Sequence, residues 1–162
     1  MKIEGSCACK AVSYTLQSAH PYPFNVCYCS ICRKTAGGGG FAINLGGDAA
    51  SLAVTGKENT TVFSTTVADP NTGKLSSSPC QRHFCKLCGS ALWVSDPRWP
   101  ELIHPFASAV DSELPIPAER THLMLSSKAT WVQADVRDGD KQFDEYPEES
   151  IADWHQRLNV ES

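Results

Sequence analysis

Apolar and polar residues alternate over short stretches of this chain and seldom recur at helical spacing. Residues 10–16 (Lys-Ala-Val-Ser-Tyr-Thr-Leu) alternate and predict a half-buried strand. Short β candidates follow at 41–45 and 52–55. Another lies at 60–67, where Thr-Thr-Val-Phe-Ser-Thr-Thr-Val is rich in β-branched residues that suit a pleated surface. Asp69-Pro70-Asn71-Thr72-Gly73 predicts a turn that closes a hairpin. Residues 91–95 and 121–125 are further strands. Between them, Pro97, Pro100, Pro105, Pro115 and Pro117 predict an irregular surface connection. Only the tail repeats at helical spacing: Ile151, Trp154 and Leu158 share a face. Ser150 stands as N-cap, with Glu148 and Glu149 near the positive end of the helix. This helix is expected to pack on a sheet. Short strands, turn residues and little helix give a mainly β fold.

At 162 residues the chain is expected to form a single domain, 1–162, with a core of its own. Its formal net charge is −4, and no run of Lys or Arg interrupts it. That balance argues against nucleic acid or an anionic membrane as partner. The opening Met-Lys-Ile-Glu-Gly-Ser lacks the apolar segment of a signal peptide, and no apolar run approaches the length of a membrane span. A cytoplasmic, reducing setting follows, where clustered cysteines read as metal ligands rather than disulfides.

Seven of the eight cysteines fall into three clusters: Cys7-x-Cys9, Cys27-x-Cys29-x-x-Cys32 and Cys85-x-x-Cys88. This is metal-ligand spacing, and it predicts two zinc ions per chain. Cys85 and Cys88, followed by Gly89, form a knuckle that lets both thiolates point at one ion. Cys7 and Cys9 are their natural complement, because residues two apart on an extended chain face the same side. Four cysteines would close that site and make it structural. Cys27, Cys29 and Cys32 supply three corners of a second tetrahedron, leaving the fourth to water, a substrate atom or a distant side chain. Zinc with three thiolates carries a net charge of −1, which suits a soft sulfur ligand better than activated water. Arg33 and Lys34 follow at once and can offset that charge or grip substrate carboxylates. Gly37 and Gly38 open the run to Gly40 and let backbone approach a ligand. The competing arrangement has Cys80, or one of His83, His104 and His122, filling the fourth corner. Both sites would then be closed, and the protein would be a non-catalytic, zinc-stabilised interaction module.

With these residues in view, the chain resembles the glutathione-dependent formaldehyde-activating enzyme / CENP-V family. The likeness rests on Gly5-Ser6-Cys7-Ala8-Cys9 with Val12 and Tyr14, and on Cys27-Tyr28-Cys29-Ser30-Ile31-Cys32-Arg33-Lys34. It continues through Phe84-Cys85-Lys86-Leu87-Cys88-Gly89-Ser90, His122, Ser127-Lys128-Ala129-Thr130-Trp131 and Phe143-Asp144-Glu145-Tyr146-Pro147. The resemblance implies a mainly β zinc-binding structure of stacked antiparallel sheets. It implies a structural zinc on Cys7, Cys9, Cys85 and Cys88 and a catalytic zinc on Cys27, Cys29 and Cys32. The implied activity is that of a carbon–sulfur lyase, condensing glutathione with formaldehyde to S-hydroxymethylglutathione. The family usually places His between the first two cysteines of the catalytic cluster, where this chain has Tyr28. A chromatin or microtubule role of the CENP-V kind sits poorly with the acidic balance.

Overall fold

The computed structural model describes residues 1–69 and 71–160. The strands are β1 (Lys2–Ser6), β2 (Ser13–Gln17), β3 (Asn25–Cys27), β4 (Ala42–Ile43), β5 (Gly47–Asp48), β6 (Ala53–Thr55) and β7 (Thr60–Phe63). They continue with β8 (Thr66–Ala68), β9 (Leu75–Ser77), β10 (Gln81–Cys85), β11 (Ala91–Ser95), β12 (Leu102–Pro105), β13 (Thr121–Leu123) and β14 (Lys141–Gln142). Among the described residues, two α-helices, α1 (Ser30–Ala36) and α2 (Ile151–Leu158), and several single 3-10 turns complete the fold. The mainly β expectation holds, with antiparallel sheets and a short C-terminal helix.

The largest sheet has the order β5-β12-β11-β10-β7 and is antiparallel throughout. A second antiparallel sheet runs β1-β2-β6. The third, β14-β13-β3-β4, is mixed: β13 lies parallel to both β3 and β14, and only β3–β4 is antiparallel. Strands β8 and β9 form a separate hairpin.

Several sequence expectations shift in position. The strand read at 10–16 begins at Ser13, because Lys10 turns the chain with φ of 61°. Its partner β1 was not legible from alternation. The run at 60–67 divides, with β7 joining the large sheet and β8 the hairpin. The hairpin turn is present: the Asp69 carboxylate accepts from the N–H groups of Asn71 and Thr72, and Gly73 takes φ of 69°. Pro70 of that predicted turn lies outside the described residues.

The proline-rich connection needs a correction. The stretch holds β12, an interior strand of the large sheet, with Ile103 and Phe106 buried. Pro97, Pro100, Pro115 and Pro117 lie outside the strand, and Pro105 ends it, so the ladder is not broken.

The C-terminal helix is capped as its sequence predicts. Ser150 and Asp153 form a reciprocal capping box, and Trp154 stacks on Phe24 with ring centroids 3.7 Å apart. The interior divides into packed clusters. One gathers Ile3, Tyr14, Leu16, Leu92 and Trp93 with Cys7 and Cys85; a second gathers Val94, Phe106 and Leu123 with Cys27 and Cys32. Trp93 belongs to the first and its neighbour Val94 to the second, so β11 stands between the two cysteine-bearing cores.

Candidate active site and metal centres

Cys7 follows β1, Cys9 sits in the turn before β2, Cys85 ends β10, and Cys88 lies in the knuckle beyond it. The fold brings all four together, their sulfurs within 4.8 Å of one another. Cys7 Sγ lies 3.5 Å from Cys9 Sγ, and Cys9 Sγ lies 3.8 Å from Cys85 Sγ. A tetrahedral ion with bonds of about 2.3 Å to sulfur sets its ligands roughly 3.8 Å apart, so this group has the dimensions of a metal centre. The backbone supports it. Val12 N–H donates to Cys7 Sγ at 3.2 Å, and Ala8 N–H donates to Ser90 Oγ at 3.0 Å, tying the two loops. Hydrogen bonds from the Ser90 hydroxyl and backbone lower the Cys88 thiol to about 5. Gly89, at φ of 74°, makes the turn that places Cys88.

The second group is Cys27, Cys29 and Cys32, again with sulfurs within 4.8 Å of one another. Cys27 closes β3, Cys29 caps α1, and Cys32 lies in the first turn of that helix. Cys32 N–H donates to Cys29 Sγ at 3.3 Å, so the cap that starts the helix also orients a sulfur. Cys27 and Cys32 are buried and Cys29 is half-buried. Hydrogen bonds from Cys27 and Cys32 depress the Cys29 thiol, while those same contacts with Cys29 and Cys32, together with burial, drive Cys27 far up. Three adjacent thiols cannot all ionise beside one another unaided; a divalent cation between them removes that conflict.

Among the described residues, no fourth Cys, His, Asp or Glu joins this group. Each candidate for the fourth corner has another partner. Cys80 Sγ accepts from Arg82 Nη1 at 3.3 Å. His83 stacks on Trp93 and pairs with Ser95 Oγ. His104 Nδ1 donates to the Leu45 carbonyl at 3.0 Å. His122 uses both ring nitrogens elsewhere, as described below.

The three cysteines face a cleft of about 480 Å³ whose wall also carries Asn25, Asn44, Cys80, Arg82, Arg98, His104 and Tyr146. Burial holds the His104 pKa below its ordinary value, which keeps the ring neutral. Arg98 lies largely exposed, clamped by both oxygens of the Asp96 carboxylate. Arg82 is buried, with Nη2 3.6 Å from Cys32 Sγ and Nε donating to Thr35 Oγ1 at 3.2 Å. Burial alone would weaken its hold on the proton, but the sulfurs of Cys32 and Cys80 more than offset this.

Arg33, Lys34, Gly37 and Gly38 do not share that cleft. They line a separate cavity of about 430 Å³ with Gly89, Ser90 and Ser108. Gly37 is needed for packing, since a Cβ there would stand 2.4 Å from the Phe41 carbonyl oxygen, whereas Gly38 faces open space. Sequence reasoning missed Arg82, Arg98 and Tyr146. Tyr146 stood in a quoted motif, but nothing in the pattern aimed it at the cysteines.

The pattern of the family described as "Glutathione-dependent formaldehyde-activating enzyme" matches residues 2–127. The chain belongs to this family. A relative from Halomonas elongata, named "Putative glutathione-dependent formaldehyde-activating enzyme", is 58% identical over 161 residues, covering 99% of each chain. A crystal structure of a Rhodobacter sphaeroides protein has the same fold, with a TM-score of 0.51 and 23% identity over 69% of this chain and 91% of that one.

Tyr28 stands between Cys27 and Cys29, and its side chain turns away from the sulfurs. Strand alternation sends Cys27 to the cleft and Tyr28 into a third cluster with Val26 and Val132. Its hydroxyl lies 2.9 Å from His122 Nδ1, and His122 Nε2 lies 3.3 Å from Asp140 Oδ2. Asp140 accepts further bonds from the backbone N–H groups of Arg120 and Arg137 and from Arg120 Nε. Although burial opposes it, these donors hold the Asp140 carboxyl well below the usual carboxylate range. The residue between two candidate ligands is thus anchored by a buried polar chain.

Proposed function

We propose that this family member is a zinc-dependent carbon–sulfur lyase that adds glutathione to formaldehyde or a related small aldehyde. The observation that carries this reading is the difference between the two cysteine groups. Four sulfurs converge where the loops close, and three converge at the wall of a cleft. In this reading Cys7, Cys9, Cys85 and Cys88 hold a structural zinc, and Cys27, Cys29 and Cys32 hold a catalytic one. Zinc bound to the three cysteines supplies a Lewis acid that keeps a thiol as thiolate near neutral pH.

The chain's own residues do the rest. The substrate sulfur gives an electron pair to the carbonyl carbon, the carbonyl π pair moves to oxygen, and oxygen takes one proton. Addition of thiols to formaldehyde is intrinsically easy, so the cleft contributes mainly proximity and orientation. His104 donates through Nδ1 to Leu45, so its Nε2 is unprotonated and can take the proton the thiol gives up. Tyr146 supplies a hydroxyl donor on the same wall, and Arg98 at the surface meets a glutathione carboxylate. Arg33 and Lys34, with Gly37 and Gly38, line a separate cavity and would meet the substrate only away from the sulfurs.

Cys29→Ser tests the reading. We expect zinc to fall from two ions to one per chain, lyase activity to vanish, and the circular dichroism spectrum to persist. Persistent activity, or an unfolded variant, would defeat it. Chelation gives an independent check: one zinc should leave readily, and glutathione should alter its departure. Two equally inert zincs would instead indicate two closed sites and a binding module without catalysis.

A further inference from the structure

The thiol-binding reading leaves an electrostatic problem. Three thiolates around a divalent ion carry a net charge of −1, and a thiolate ligand would take the centre to −2. Crowded like charges repel strongly in a cleft where water screens them poorly. Arg82 is the one Lys or Arg that is buried among the described residues, at 7% exposure. Its guanidinium is directed three ways: to Cys32 Sγ at 3.6 Å, to Cys80 Sγ at 3.3 Å and to Thr35 Oγ1 at 3.2 Å. The contrast with other arginines is informative. Arg98 pairs with Asp96, Arg120 and Arg137 with Asp140, and Arg157 with Glu119 and Glu149. Arg82 forms no ion pair with a carboxylate among the described residues. A buried guanidinium without a counter-ion is strongly unfavourable, so its counter-ion must be the sulfur cluster.

We propose that Arg82 is the positioning residue that admits the thiol: its guanidinium offsets the charge of the Cys27/Cys29/Cys32 cluster so that a thiolate can join it. Cys80 and Thr35 keep the guanidinium aimed at Cys32. Arg33 and Lys34 do not fill this role, because their cavity shares no lining residue with the cleft. The inference rests on the reading of this cleft as a thiol site. It adds a specific consequence: affinity for an anionic sulfur ligand depends on Arg82, and affinity for a neutral ligand at the same place does not.

The experiment uses the cobalt(II)-substituted protein, whose sulfur-to-metal absorption reports a new thiolate ligand directly. Glutathione and imidazole are titrated separately into wild type, Arg82→Gln and Arg82→Lys. We expect Arg82→Gln to bind glutathione on the order of 30-fold more weakly or worse. Imidazole should stay within about threefold of wild type, a difference too small to reflect a lost charge pair. Arg82→Lys, which keeps the charge and loses the fork, should recover glutathione binding to within about tenfold. Unchanged glutathione affinity in Arg82→Gln would overturn the proposal, as would equal loss of both ligands, which marks a packing role alone. If Arg82→Gln does not fold, Arg82→Lys decides. Retained glutathione binding supports charge compensation, and a folded Arg82→Lys that binds imidazole but ignores glutathione overturns it. A wild-type protein that ignores glutathione sinks the thiol-site reading itself, and shows it before any substitution is made.

Discussion

Arg82 and Asp140 are both buried charges, and the chain satisfies them by different means. Arg82 is turned toward sulfur, whereas Asp140, with its side chain 1% exposed, gathers two arginines and a histidine around one carboxylate. Removing the Asp140 charge leaves Arg120 and His122 facing a neutral amide, so Asp140→Asn should cost about 3 kcal/mol of stability. The sign of the pH dependence follows from its depressed pKa. The wild-type advantage is present in full above about pH 4, where an unfolded aspartate is ionised, and shrinks as pH falls toward the folded-state value. Urea titrations of both proteins at neutral pH and in acid check this; a gap that widened in acid would contradict it. These residues also mark how far the sequence could be read. Cysteine spacing announces itself because ligands must lie close along the chain. Nothing in local spacing tells that position 82 meets position 32, or that Tyr28 turns from the sulfurs toward His122.

Strand β10 shows why the missed residues sit where they do. It ends in Cys85, a member of the four-sulfur group, and three positions earlier it carries Arg82 beside the three-sulfur group. Its pairing with β11 shifts register between His83 and Phe84, which breaks the alternation, so Arg82 and Cys85, three positions apart, are both buried. The cysteine knuckle was legible; the arginine was not, because a strand of five residues with an irregular register gives no clean alternation. The proline-rich stretch misled for a related reason. Prolines that flank a strand look from sequence like prolines that forbid one, and β12 is short enough to fit between them. Helix α2 was readable because cap, spacing and a large aromatic agree. Trp154, 1% exposed and stacked on Phe24, is its anchor. Trp154→Ala should destabilise the protein by about 3–5 kcal/mol, measured as a lower urea midpoint. A midpoint unchanged from wild type would mean that the helix contributes little to the fold.

The whole molecule joins its parts through distant pairings. Among the described residues no helix is long and apolar enough to cross a membrane. The mainly β character was legible from short alternating runs. The mixed sheet was not, because strand direction depends on which distant segments meet, and β13 and β14 carry too few residues to signal their partners. That sheet bears on how the protein is made. The segment holding Cys27, Cys29 and Cys32 appears early in the chain, yet its strand β3 lies against β13, and β13 against β14. The four sulfurs of the other group are all present once Cys88 is made, and Ser90, which ties their loops, follows two residues later. On a ribosome, then, the two groups would mature at different moments, with the first able to close while the second still lacks its supporting strands. In refolding from urea, pulsed hydrogen exchange should protect amides of β1, β2 and β10 before those of β3 and β13; simultaneous protection would rule out this order. Until the last third of the chain arrives, three reactive thiols stand in a half-built wall, and a newborn copy of this protein is more open to oxidation and stray metals than the finished one.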